Sequence, residues 1–204
     1  NNALMQSLET KQETNMATIT KNNRQTQTYD MICIAVFAVL MAVCSWISIP
    51  TVVPFTMQTF GLFLTLGVLG GKRGTMAVVI YVLLGIVGLP VFAGFSSGLG
   101  VLMGTTGGYI LGFFFSGLLY WLLEKAAPDR RWIQILAMLL GMAAYYVFGT
   151  VWFMEVYTKT TGAVGLTAVL GWCVFPFIIP DLIKMGLAFM LSGRLRRIMK
   201  LSNY

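Results

Sequence analysis

Long apolar segments, separated by short stretches rich in proline, glycine or charge, make up most of the sequence. The first apolar segment covers residues 31–49, and Pro50 and Pro54 follow it. Further segments of this kind cover residues 56–69, 75–89, 106–123 and 132–153. Their lengths approach the roughly 20 residues that a helix needs to cross a bilayer. The pattern therefore predicts a membrane span in each of these segments.

The final apolar region, residues 162–191, is too long for one span and contains Pro176 and Pro180. It holds either two spanning helices or a non-spanning segment followed by one spanning helix. The hydrophobic pattern leaves both arrangements open, and the distribution of charge is needed to choose between them.

Lysine and arginine residues favour the second arrangement, because cytoplasmic loops of membrane proteins carry an excess of these residues. With six spans and a cytoplasmic N-terminus, 12 of the 14 basic residues face the cytoplasm, those at positions 11, 21, 24, 72, 73, 125, 130, 131, 194, 196, 197 and 200. We therefore predict an all-α membrane protein with six transmembrane helices, both termini cytoplasmic and a ligand pocket on the extracellular side.

The domain boundaries follow from this topology. Residues 1–29 are polar and are predicted to form a mobile cytosolic tail, and residues 30–200 form the transmembrane domain. Residues 162–179 are predicted to form a short helix and a loop at the outer face. The sixth span then covers residues 181–199, with Pro180 near its first turn, where proline is well tolerated.

Composition supports a membrane protein and narrows its chemistry. The chain is 57% apolar and only 10% charged, which excludes an ordinary soluble domain. The net charge of +7 therefore reflects orientation in the bilayer and not nucleic-acid binding. Histidine is absent, which excludes catalysis by an imidazole group and metal binding by an imidazole group. The three cysteines lie in apolar segments without metal-ligand spacing, and we expect no metal, no cofactor and no enzymatic activity.

Asp181 and Lys184 are the charged residues that lie most clearly inside an apolar segment. Ionised side chains in lipid are expensive and usually face a cavity and pair with each other, and residues at i and i+3 share one helical face. Asp181 and Lys184 have two interpretations. Either they form one wall of a polar pocket, or Asp181 is an acidic residue at a helix start and the Lys184 side chain reaches to the membrane interface. Several neutral polar residues also fall within or at the ends of spans, namely Gln58, Thr59, Thr105, Thr106, Tyr109, Tyr145 and Tyr146. By the predicted topology, Gln58, the segment 104–109 and Asp181 converge on the outer side.

A loop with glycine and serine residues, residues 91–103, lies between the third and fourth spans. It is either a lid over the pocket, with Phe92 or Phe95 as the apolar contact, or a flexible connector. In the first span, Ala38 and Ala42, with Ala35 nearby, form a stripe of small residues that would let another helix approach closely.

Four motifs follow one another along the chain: PFTMQTFG (54–61), GLPVFAGFSSG (88–98), GTTGGYILGF (104–113) and PDLIK (180–184). In this order they resemble the biotin-specific substrate-binding subunits of energy-coupling-factor (ECF) transporters, the BioY family. The resemblance covers roughly residues 31–199. Members of that family typically have Gly-Asp where this chain has Pro180 and Asp181, a difference that affects the turn before the helix and not the acid.

The resemblance implies six transmembrane helices in a bacterial cell membrane and a biotin site near the outer face. It also implies a complex with a transmembrane coupling subunit of the EcfT type and two cytosolic ATPase subunits. The alanine stripe, Ala35, Ala38 and Ala42, would contact the coupling subunit.

Biotin has a ureido group, a thiophane ring and a carboxylate chain, and each needs a different surface. We expect Asp181 to accept from a ureido N–H and Gln58, or a backbone N–H near Gly107, to donate to the ureido carbonyl. Val91, Phe92 and Tyr109 would supply apolar walls. Loop N–H groups around Gly94, or Lys184, would bind the carboxylate, and Thr105 completes the candidate set.

Two other classes of function remain open from the residues themselves. One is a stand-alone carrier or channel for a vitamin or another small solute, with Asp181 as the coupling acid. The other is an intramembrane enzyme, which the absence of histidine disfavours.

Overall fold

The computed structural model describes residues 26–51, 53–127 and 130–199. The predicted cytosolic tail lies outside the described residues except for residues 26–29, which belong to the first helix instead of a tail. Contacts between Cα atoms divide the chain into two units, residues 1–33 and residues 34–204. The first helix begins in the first unit, and the remaining elements belong to the second.

The described residues form seven α-helices and a short antiparallel ribbon. The helices are α1 (Thr26–Trp46), α2 (Gln58–Ile86), α3 (Leu99–Met103), α4 (Gly107–Ala126), α5 (Arg131–Thr160), α6 (Leu166–Cys173) and α7 (Phe175–Met199). The ribbon pairs β1 (Ser48–Ile49) with β2 (Phe55–Thr56), and a single 3₁₀ turn covers Ala93–Phe95. The main packing partners in the second unit are α4 with α5, and α2 with both α4 and α7.

Within the described residues, five helical segments are long and apolar enough to cross a membrane. They are Thr26–Trp46, Gln58–Val87, Gly107–Ala126, Arg131–Thr160 and Leu166–Met199. The chain is therefore a multi-pass membrane protein in which most residues lie in helices.

Helix α2 reverses direction at Gly70 and is not one straight rod. Gly70 has φ 78° and ψ 178°, a conformation open to glycine but strained for other residues. Gln58 Nε2 lies 2.6 Å from the hydroxyl of Tyr81, although 23 residues of straight helix would separate them by about 35 Å. The first half, residues 58–69, therefore runs antiparallel to the second half, residues 71–86, and the chain turns at the boundary predicted between the second and third apolar segments.

An ion pair holds the α2 turn against the ends of two other helices. The Glu124 carboxylate, at the end of α4, accepts a hydrogen bond from the backbone N–H of Gly71 and pairs with Arg196 of α7 at 3.3 Å. Arg196 Nε also donates to the carbonyl of Val68 at 3.1 Å. The carbonyl of Val68, near the end of the first half of α2, and the N–H of Gly71, at the start of the second half, thus both have a hydrogen-bond partner. We call this end of the bundle, where basic residues of α2, α4 and α7 collect, the basic end.

The segment before Asp181 differs from the prediction. The short helix expected in residues 162–179 is present as α6, but residues 175–179 are helical and open α7 instead of forming a loop. Pro176 occupies the second position of α7, where the backbone N–H has no acceptor within the helix. Pro180 removes only one further bond, so α7 continues through it.

Candidate functional site

A cavity of about 160 Å³ lies at the end of the bundle opposite to the basic end. The starts of α2, α4 and α7, the middle of α5 and the loop before α3 surround it. Its wall is mostly apolar, with a small group of polar side chains. The lining residues are Val53, Pro54, Thr56, Gln58, Thr59, Phe92, Ala93, Ser96, Val101, Thr106, Tyr109, Ile110, Phe113, Tyr145, Tyr146, Cys173, Phe177, Asp181 and Lys184. Such a surface suits a small ligand with a few polar groups.

Asp181 and Lys184 form a buried ion pair in this wall. They are 2% and 5% exposed, and Lys184 Nζ lies 2.9 Å from Asp181 Oδ1. Lys184 also donates to the carbonyl of Thr56 at 2.7 Å and to the hydroxyl of Thr59 at 3.3 Å. Its ammonium group lies 4.2 Å from the centre of the Phe55 ring. All three ammonium hydrogens therefore have partners within the protein.

The Asp181 carboxylate ties three helices together. Its Oδ1 accepts from Lys184 and from the hydroxyl of Thr59 at 2.9 Å, and its Oδ2 accepts from the hydroxyls of Tyr145 at 2.7 Å and Tyr146 at 2.8 Å. A carboxylate has about four acceptor positions, and all four are used. In this conformation Asp181 organises the cavity wall, and a ligand N–H would have to displace one of these donors.

Gln58 connects the cavity to the loop before α3. Its Nε2 donates to the Tyr81 hydroxyl, which in turn donates to the carbonyl of Val91 at 3.1 Å. Ser45 of α1 donates to the same carbonyl at 2.6 Å. No hydrogen bond from a described residue reaches Gln58 Oε1, so this atom is available to accept an N–H from a ligand.

The segment 88–98 is anchored at its start. The Phe92 ring lines the cavity, packs edge-on against Tyr81 and approaches Gly85 so closely that a Cβ there would lie 2.0 Å from the ring. Trp46 of α1 donates to the carbonyl of Pro90 at 2.7 Å. The beginning of this segment is therefore a fixed wall of the cavity and not a freely moving connector.

The structure brings together five of the predicted ligand-binding residues. Gln58, Phe92, Tyr109, Asp181 and Lys184 all line the cavity, and four others, Val91, Gly94, Thr105 and Gly107, do not. Val91 contributes its carbonyl as an anchor, Gly94 supplies a turn with φ 66°, and Gly107 permits close packing, since a Cβ there would lie 1.7 Å from the carbonyl of Leu102. The neighbours Ala93, Ser96 and Thr106 occupy the wall instead.

The sequence interpretation did not assign Tyr145, Tyr146 and Thr59 to the binding site. All three are buried and donate to Asp181. The available signal was a pair of adjacent hydroxyl-bearing residues in an apolar span, but periodicity cannot tell which helix their hydroxyls face.

The alanine stripe of α1 lies mainly on a buried face. Ala38 is 1% exposed and Ala42 is 4% exposed, whereas Ala35 is exposed. On the same face, Gly61 of α2 approaches Met41 so closely that a Cβ would lie 3.3 Å from the Met41 Cα. The small residues thus serve packing within this chain, and in this conformation Ala38 and Ala42 are not accessible to a partner.

Fold and cavity together define a class: a multi-pass α-helical membrane protein that encloses a site for a small, partly polar ligand. The model of the BioY family matches residues 15–201, and the chain belongs to this family.

Similar proteins are found in bacteria and archaea. The biotin transporter BioY of Thermotoga maritima is 39% identical over 167 residues, covering 80% of this chain and 93% of that protein. The probable biotin transporter BioY of Pyrococcus horikoshii is 35% identical over 168 residues, with 80% and 93% covered. The crystal structure of an S-component for biotin from an ECF-type ABC transporter matches with a TM-score of 0.71 at 25% identity, covering 90% of this chain and 96% of that one.

Proposed function

We propose that this protein binds biotin in the cavity around Gln58 and acts as the biotin-specific S component of an ECF-type ABC transporter. The observation that carries the proposal is the enclosed, mostly apolar cavity with a polar wall, in a fold shared with an S-component for biotin. Relatives named biotin transporters over most of the chain support the same ligand.

The polar groups of biotin match the free groups of the wall. Gln58 Oε1 accepts from a ureido N–H, and the second hydrogen of its Nε2 donates to the ureido carbonyl. The thiophane ring and the aliphatic chain contact Phe92, Tyr109 and Phe113. The hydroxyl of Thr106, which has no hydrogen bond to the described residues, and N–H groups of the segment 94–97 receive the carboxylate. Asp181 and Lys184 position this wall through the contacts described above.

The membrane arrangement that we propose has six crossings, both termini in the cytoplasm and the cavity towards the outer face. The reversal of α2 at Gly70 supports it, because each half of α2 then counts as one crossing. The position of the basic end also supports it, since basic residues favour the cytoplasmic side and the cavity lies at the opposite end.

Transport requires partners in this proposal: a transmembrane coupling subunit of the EcfT type and two cytosolic ATPase subunits, none of which this chain supplies. The stand-alone carrier remains the alternative, with Asp181 as the coupling acid. The pairing of Asp181 with four donors disfavours it, because a coupling acid must gain and lose a proton during transport.

Calorimetric titration of the detergent-purified full chain with biotin tests the ligand. We expect one binding site per chain and about tenfold or greater weakening by Gln58→Ala, since the ligand then loses hydrogen bonds in a buried site. Thr105→Ala is the matched control outside the wall and should bind as the parent does. Absence of heat from the parent chain would refute biotin as the ligand.

Liposome uptake separates the two modes of transport. We expect biotin uptake only when the coupling and ATPase subunits and ATP are present. Uptake by this chain alone, driven by a proton gradient and abolished by Asp181→Asn, would favour the stand-alone carrier.

A further inference from the structure

A second recess lies on the outside of the bundle near the basic end, and none of its lining residues lines the ligand cavity. It is an open groove of about 220 Å³ between the second half of α2 and α4. We call it the basic-end groove, and its lining residues are Lys72, Thr75, Met76, Val79, Ile80 and Trp121.

The groove has an apolar floor. Met76, Val79 and Ile80 follow Lys72 at helical spacing along one face of α2, over about 12 Å. The hydroxyl of Thr75 donates to the carbonyl of Gly71 at 2.6 Å, which leaves its methyl group for the groove.

Glycines set the depth of the groove. A Cβ at Gly71 would lie 2.2 Å from the Cα of Trp121, and one at Gly117 would lie 2.9 Å from the hydroxyl of Thr75. Helices α2 and α4 therefore touch along their backbones. The larger side chains on either side of this contact line form the walls.

The end of the groove towards the basic end carries hydrogen-bond donors and positive charge that have no partner among the described residues. The exposed Lys72 forms no ion pair or hydrogen bond with the described residues, and the same is true of Lys125. Lys125 follows Trp121 by one turn on the same face of α4. Among the described residues, the indole Nε1 of Trp121 also has no acceptor.

We propose that the basic-end groove binds an anionic glycerophospholipid, with one acyl chain against Met76, Val79 and Ile80 and the phosphate between Lys72, Lys125 and the Trp121 indole. An acyl chain suits the apolar side chains of Met76, Val79 and Ile80, and an anionic headgroup suits the lysines at one end of them. Lysine binds phosphate as a point charge, and tryptophan favours the level of the headgroups. Basic pockets between membrane helices recognise anionic headgroups in the same way.

Native mass spectrometry of the full chain tests this site. The chain is purified in detergent and exposed to phosphatidylglycerol or phosphatidylcholine with identical acyl chains. We expect preferential retention of one phosphatidylglycerol. Lys72→Gln should reduce this preference about fivefold, and Lys72→Gln with Lys125→Gln should reduce it further, since each basic residue contributes about that factor at an anionic surface. Ile80→Trp, which fills the groove, should reduce retention of both lipids.

Arg194→Gln is the matched control, because Arg194 is an exposed basic residue of α7 near the same end and does not line the groove. It removes the same charge and should leave the preference unchanged. Equal retention of both lipids by the parent, or the same loss for Arg194→Gln as for Lys72→Gln, would overturn the proposal. A cross-link from Val79→Cys to a second copy or to a partner subunit, with lipid preference unaffected by Lys72→Gln, would show that a protein occupies the groove and would also overturn it.

Discussion

Removing the charge of Asp181 should destabilise the protein more than removing the charge of Lys184, although the two residues form one ion pair. Breaking a buried ion pair by removing one partner costs about 3–5 kcal/mol, because the other charge stays buried without compensation. The two charges of this pair differ in the other groups of the protein that stabilise them.

Asp181 has three further donors, the hydroxyls of Thr59, Tyr145 and Tyr146, at 2.7 to 2.9 Å. When Lys184 is replaced by methionine, these donors still stabilise the carboxylate, so we expect a loss of only about 1–3 kcal/mol in the free energy of unfolding. Asp181→Asn has the opposite effect. It leaves the Lys184 ammonium group without an anion. It also turns the amide N–H₂ of the new asparagine towards hydroxyls that donated to the carboxylate. We therefore expect a loss of about 3–5 kcal/mol in the free energy of unfolding.

The assay is unfolding of the full chain in mixed micelles, followed by tryptophan fluorescence, for the parent, both single variants and the double variant. The double variant should be less destabilised than the sum of the single variants by about 2 kcal/mol, because the second change removes the charge that the first had stranded. Equal losses for the two single variants, or additive losses in the double variant, would refute the account of this network.

Three further changes test other parts of the structure, each with purified protein. Gly70→Ala should lower the free energy of unfolding by about 1–3 kcal/mol, because φ 78° with ψ 178° is a conformation that essentially only glycine adopts. Gly186→Ala, at an exposed helical glycine with open space, should leave the free energy of unfolding unchanged or raise it, and equal effects of the two changes would contradict the turn. Gly85→Ala should displace the Phe92 ring and weaken biotin binding at least tenfold by calorimetry, whereas unchanged affinity would show that the ring is not a fixed wall. Tyr120→Phe should not destabilise the protein in thermal unfolding, because the buried Tyr120 hydroxyl has no hydrogen-bond partner among the described residues; a loss above about 1 kcal/mol would show that it has one.

The sequence was informative about segments and poor at assigning contacts. The turn between the second and third apolar segments could be predicted, because Gly70 and the basic residues after it interrupt a hydrophobic pattern. The helical start of α7 could not, because Pro176 and Pro180 signal a break. Pro176 lies in the first turn, where proline is tolerated, and Pro180 lies inside the helix, which continues through it.

The candidate site shows the same division. Asp181 and Lys184 were found because charge in an apolar segment is rare and needs a reason. Tyr145 and Tyr146, which donate to Asp181, were not assigned to it, because residues that lie 36 and 35 positions before it in the chain reach it only through helix packing. The prediction of Thr105 as a ligand-binding residue, where Thr106 lines the cavity, has a related reason: the direction of a side chain just before a helix depends on backbone angles that spacing does not give.

By itself, the sequence determined that this is a helical membrane protein with a resemblance to the BioY family and that the buried charge at Asp181 and Lys184 matters. The bilayer acts on each segment separately, because a span needs a long apolar segment and because an unpaired charge in lipid costs free energy. Only the tertiary structure decided that all four acceptor positions of Asp181 are used, that no hydrogen bond from a described residue reaches Gln58 Oε1 and that Ala38 and Ala42 face inward. Those properties depend on which helices pack together and at what rotation, and no single segment encodes that geometry.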